Sequence, residues 1–215
     1  MPDHPLVVVC LDAADPDLLT EWAAAGRLPA LRAVMDRGWW ARTGGPELGI
    51  EHGAWVSLVS GVSRRVHGYH YFRQLRTGSY DLHLVEGHQV DAPPFWAHVD
   101  PARTRVAIVD VPDTRPVPGL PGVQLAEWAV HNPESGPVAW PAAVLDEVER
   151  VFGPQEPIEE RLRSTEAEDL AIYDRLLARV ARKGTLIRHL VTESGPDLIV
   201  AGRQTKNLMI FWNAR

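Results

Sequence analysis

Two carboxylates and a group of imidazoles are the residues of this chain best suited to chemistry. Asp12 closes the apolar run LVVVCL, and Glu51 opens EHGAWVSLVSG, where Trp55, Leu58 and Val59 recur at helical spacing before Gly61. A carboxylate beyond the end of a buried strand is well placed for metal or phosphate chemistry. Equally, Asp12 can cap the turn that follows it. Glu51 falls at or just before a helix start, where unpaired N–H groups and the helix dipole favour anions. It has three readings, in this order: a metal ligand shared with Asp12, a structural acid near the N-cap, or a general base for water. His52 stands beside it, with His67 and His70 further along. Most of the nine histidines read as surface or polar packing residues, which leaves His52 as a substrate contact to test. Arg73 and Arg76 sit in the aromatic tract HGYHYFRQLRTGSYDLH. Arg73 is open between an anion-contacting residue and one strand of a hairpin. The tyrosines favour the hairpin. Trp128 and His131, in AEWAVHNP, can face such a site, although packing is the stronger reading for Trp128.

These residues need elements to position them. LVVVCL (Leu6 to Leu11) and RVAIV within TRVAIVDVP read as strands buried on both faces. VQLAEWAVH and PDLIVAG add two more strands, and WWART another. Asp15 and Pro16 form a helix-start signal, PALRAVMDRG is a short helix stopped by Gly38, and WPAAVLDEVERVFG is an amphipathic helix. Thr165 and Glu168 form a capping box at the head of a long helix. Along it Leu170, Tyr173, Leu177, Val180, Ile187 and Val191 follow alternating steps of three and four, with Gly184 in one slot. That pattern predicts a core-facing stripe. Strands alternating with helices predict an α/β fold, a mostly parallel sheet with helices on both faces. The Pro-rich stretch from Val111 to Pro121 reads as a surface excursion, and residues 1–215 as one domain.

Composition narrows the partners. The chain has 215 residues, 45% of them hydrophobic, and 22 Lys+Arg against 28 Asp+Glu give a formal charge of −6. That balance disfavours nucleic acid, which demands a basic patch. No run approaches the ~20 apolar residues of a membrane span, and no basic n-region or cleavage site marks a signal peptide. A cytoplasmic location is the expectation. Cys10, the single cysteine, reads as a small buried hydrophobe.

VVVCLDAADPDLLTEWAAAGRLPALRAVMDRG, EHGAWVSLVSGVSRRVHGYHYF and RVAIVDVP occur in that order. Together they resemble the N-terminal half of the alkaline phosphatase superfamily, in its type I phosphodiesterase/nucleotide pyrophosphatase branch. The resemblance implies an alkaline phosphatase-like core and divalent metals, zinc above all and manganese as the alternative, acting on phosphate or sulfate esters. Asp12 matches the family's first metal-ligand aspartate. The family's Ser or Thr nucleophile lies ten residues before the glycine that ends the helix, and here that place holds Glu51. Thr205 and Met209 stand where the family offers an acid and a histidine after its next strand. The remaining ligands of the family belong to a C-terminal half that these residues do not contain.

Two functions remain open from sequence. One is a metal-dependent phosphodiesterase or phosphatase-like protein, impaired in this chain, with Asp12 and Glu51 as ligands. The other is a non-catalytic relative with no metal: a pseudoenzyme or half-domain that acts as a binding module. It would present an apolar surface to a second copy or to a complementary chain that covers the missing half.

Overall fold

The computed structural model describes residues 7–11, 15–41, 53–129, 136–156, 158, 165–203 and 208–213. Strands β1 (Val7–Leu11), β4 (Val106–Val109), β5 (Gly122–Ala126), β6 (Val138–Trp140), β7 (Leu198–Arg203) and β8 (Leu208–Asn213) form one sheet in the order β1-β8-β7-β4-β5-β6. A separate hairpin pairs β2 (Arg73–Leu75) with β3 (Leu82–Leu84). The helices are α1 (Pro16–Ala24), α2 (Pro29–Arg37), α3 (Ala54–Ser60), α4 (Arg64–His67), α5 (Ala143–Phe152) and α6 (Glu166–Ser194).

The fold is α/β, but the sheet is mixed rather than mostly parallel. β4 runs parallel to β5 and to β7, whereas β8 is antiparallel to both β7 and β1, and β6 is antiparallel to β5. The physical reason is connection length. A parallel neighbour needs a crossover of a dozen or more residues, and the short link from Arg203 to Leu208 permits only a hairpin-like return. Neither β6 nor β8 was expected from the sequence. WWART is not a strand over its described part: residues 39–41 carry no regular structure.

Two apolar layers flank the central strands, as their alternation dictates. Val109, Leu125 and Ala201 pack with Trp128, Val148, Leu186 and Leu190 beneath α5 and α6. Val106, Ile108 and Val200 pack with Val59 and Trp96 on the other face, with Cys10 and Trp55 at the margin of that cluster. Helix α3 is thereby seated on the sheet by Trp55 and Val59. The cap signals are as expected. Asp15 accepts from the N–H groups of Asp17 (2.8 Å) and Leu18 (3.1 Å), and the Thr165/Glu168 capping box is formed.

The stripe expected to face the core along α6 does so only in part: Ile187 packs against the core, whereas the N-terminal half of the stripe does not. The buried residues of α6 are Arg179, Lys183, Leu186 and Leu190, while Leu170, Tyr173 and Leu177 are exposed. Burial of the two cations is made possible by specific partners, which periodicity does not encode. The Val111–Pro121 stretch is likewise no simple surface excursion, since Val111, Thr114 and Leu120 are buried against the sheet. No described helix is long and apolar enough to cross a membrane.

Candidate functional site

β1, β4, β5 and β7 all point the same way, so their carboxyl ends share one edge of the sheet. Leu11 and Arg203 both pair with Leu208, which sets the ends of β1 and β7 level. Val109, the last residue of β4, pairs with Ala201, two positions lower on β7. Asp12 is the next residue after Leu11 in the chain. Asp12, Glu51 and His52 themselves lie outside the described residues, as do His131 and Thr205. Met209 belongs to β8, its backbone between Cys10 and Gly202.

Among the described residues, the three non-glycine residues with positive φ are all acids just beyond β4 and β5: Asp110 (47°), Asp113 (58°) and Glu127 (59°). Left-handed backbone at side-chain-bearing residues costs energy and gathers where the surroundings over-determine it. Asp110 is the most constrained. Trp128 N–H donates to its Oδ1 at 2.8 Å, Ala129 N–H to its Oδ2 at 2.9 Å, and Lys183 Nζ lies 2.9 Å from Oδ2. Both side chains of the ion pair are essentially inaccessible, at 1% for Lys183 and 0% for Asp110. Gly202 packs its backbone against the Asp110 carbonyl, where a β-carbon would overlap. This carboxylate joins β4, the turn after β5 and α6. Its bonding capacity is spent on structure.

A looser set of ionisable groups surrounds Asp113. Its side chain lies against Gly87, leaving no space there for a β-carbon. Burial pushes its carboxyl up to about 6, while the hydrogen bond from Tyr69 favours the anion and acts the other way. Flanking Gly87, Glu86 and His88 approach to 3.2 Å. Arg115, two residues beyond Asp113, meets Glu127 at 3.4 Å and donates to the Gly136 carbonyl at 3.1 Å. His88 is held below the usual imidazole range, first by burial and then by Arg115, with Glu86 and Glu127 opposing. The arrangement can hold a proton on Asp113 near neutrality, and it sets cationic and anionic groups side by side. Sequence reasoning missed this set. Asp110 carried the same signal as Asp12, an acid closing a buried apolar run, whereas Asp113, His88 and Glu127 meet only through the fold.

Ser57 and His67 could be taken for a nucleophile and its base. Their Oγ and Nε2 are 2.8 Å apart, but Tyr69 N–H donates to His67 Nδ1 at 3.0 Å. With Nδ1 accepting, the ring proton sits on Nε2 and is donated to Ser57 Oγ. The imidazole therefore cannot take the serine proton. Burial first, then His70 and Arg64, hold His67 below its usual pKa, consistent with that neutral tautomer. The pair ties α3 to the end of α4. Arg73 lies on the β2–β3 hairpin, exposed, its guanidinium 5.2 Å from the Phe72 ring centroid. The tract is a hairpin, with Tyr69 wholly buried and Tyr80 exposed. Trp128 is fully buried and donates from Nε1 to the Gly153 carbonyl at 3.1 Å.

Among the described residues no group of three or more His, Cys, Asp or Glu is arranged to hold a metal ion. Asp110, the residue after β4, is committed to Lys183 and two N–H groups.

Fold and site define an α/β protein with a half-buried ionisable cluster at the carboxyl edge of a mixed sheet. No protein-family model, curated protein or solved structure matches the chain.

Proposed function

We propose that the chain is a phosphoester-hydrolase-like protein with an alkaline phosphatase-like core, which takes a small phosphate or sulfate ester at the carboxyl edge of its sheet and turns it over weakly at best. One observation carries this reading: β1, β4, β5 and β7 are co-directional, with Leu11 level with Arg203, so the chain enters Asp12 from the edge where such sheets bind ligands. Asp12 and Glu51 are the carboxylates offered to zinc or manganese. Weak turnover follows from the residues present. Glu51 replaces a hydroxyl nucleophile, Ser57 Oγ accepts a hydrogen bond from His67 Nε2–H and has no base there to take its proton, and Asp110 is locked in an ion pair.

Metal content after purification without chelator, and after zinc addition, tests this reading in wild type, Asp12→Ala and Glu51→Ala. Calorimetric titration with phenyl phosphate accompanies it. Metal bound by wild type and lost in both variants supports the proposal. A wild type that stays metal-free and binds no ester sinks it.

A second reading, a non-catalytic interaction module, is favoured by the exposed Leu170, Tyr173 and Leu177 on α6. It predicts self-association or partner binding without metal or hydrolysis.

A further inference from the structure

On α6 the side that carries Arg175, Arg179, Arg182 and Lys183 is turned to the rest of the protein, and the side that carries Leu170, Tyr173 and Leu177 is turned to solvent. Arg175 pairs with Glu156 at 3.1 Å, and Arg179 donates to the Glu156 carbonyl at 2.9 Å. Arg182 lies 4.7 Å from the Trp128 ring centroid, and Lys183 reaches Asp110. Those contacts fix the cationic side of the helix on the protein. At about 100° per residue, Leu170, Tyr173 and Leu177 fall on the opposite side. They are 59%, 57% and 49% exposed. Their three-and-four spacing continues through Val180, Gly184, Ile187 and Val191, which are half-buried, Ile187 with one side on the core beneath α5 and α6. This is a heptad seam, the pattern by which one helix packs along another.

We propose that the seam pairs with the same seam of a second copy, antiparallel, about a two-fold axis passing between Ala178 and Arg179. That register sets Leu170 against Ile187, Leu177 against Val180, and the large Tyr173 against the gap left by Gly184. At the margin it sets Asp169 against Arg188, both exposed. A parallel pair would instead bring Asp169 against Asp169 and Gly184 against Gly184, giving like charges and a void. A two-fold interface must be self-complementary, and between Asp169 and Arg188 the antiparallel register meets that condition in size and in charge, with Glu166 beside Val191 at the ends of the seam. The inference does not depend on ester or metal binding, so failure of that reading leaves it standing.

Sedimentation velocity of the full chain at tens of micromolar is expected to give a dimer. Leu177→Glu is expected to halve the mass while leaving the circular dichroism of the folded chain unchanged, because the residue is half exposed in the single chain; its melting temperature falls only by the stability that association contributes. Arg188→Asp weakens association, and adding Asp169→Arg restores it by reversing the pair. In a Cys10→Ala background, Leu177→Cys forms an interchain disulfide under mild oxidation, as the two positions lie about 5 Å apart along the helix axis. Leu170→Cys does not, its copies being about 25 Å apart. A monomeric wild type overturns the proposal, as does a dimer that survives Leu177→Glu. Equal cross-linking at both positions overturns the antiparallel register. Association only with another protein shows a different occupant and overturns it too.

Discussion

Replacing Asp113 by Asn should stabilise this protein at neutral pH. The Asp113 carboxyl stands at about 6 against an ordinary 3.8, because burial disfavours its charged form. Folding therefore favours protonation of this residue. Its stabilising effect is complete below the unfolded-state value of 3.8, and it is lost as pH rises through about 6. Above that point the folded protein bears the cost of a buried anion. A gap of about two units corresponds to roughly 3 kcal/mol at 1.36 kcal/mol per unit, an upper figure for a group not wholly buried. Asparagine carries no charge, accepts the Tyr69 hydrogen bond through its carbonyl and tolerates the left-handed backbone at φ 58°. Urea unfolding between pH 4 and 8 measures the effect. Asp113→Asn should exceed wild type by up to roughly 3 kcal/mol at pH 7.5, and the gap should close as pH falls from 6 to 4. In melting temperature that is on the order of 5–10 °C for a chain of this size. A variant no more stable than wild type at pH 7.5, or a gap independent of pH, would refute the reasoning. Asp113→Ala is the control. It removes the charge but also strains the backbone and orphans Tyr69, so its gain should be smaller.

Lys183→Met should cost about 3–5 kcal/mol in equilibrium unfolding, because it strands the buried Asp110 charge. Adding Asp110→Asn should recover part of that loss; strict additivity of the two would argue against their pairing. Gly202→Ala should be among the most damaging single substitutions, several kcal/mol by thermal melting, since its methyl meets the Asp110 carbonyl. His67 should show the Nε2–H tautomer in nitrogen NMR at pH 7, and Ser57→Ala should cost about 1 kcal/mol. An Nδ1–H ring would reopen Ser57 as a nucleophile. Because its pKa is lowered, His67 contributes a loss of stability as pH falls below 6.5, opposite in sign to Asp113.

Local chemistry was legible in the sequence. Asp15 with Pro16, Thr165 with Glu168, and Gly38 after α2 each specify a helix boundary through bonds made within a few residues, so those boundaries could be read without tertiary information. The buried runs at β4 and β7 were equally plain, because strands covered on both faces must be apolar throughout; β1 was legible as a strand but not its place, since it lies at the sheet edge with Val8 38% exposed rather than buried on both faces. Tertiary structure decided the rest. A three-and-four spacing along α6 says that one face is apolar; it does not say which face meets the sheet. Asp110 and the Glu156 region draw Arg179 and Lys183 inward, and the leucine stripe is left outside. The direction of β8 depends on the length of a link, and with the antiparallel β6 it makes the sheet mixed. Asp113, His88, Arg115 and Glu127 are spread over forty residues and become neighbours only at the carboxyl edge. Burial raises the Asp113 pKa, and burial with the Arg115 charge lowers that of His88, effects that exist only once the chain has folded.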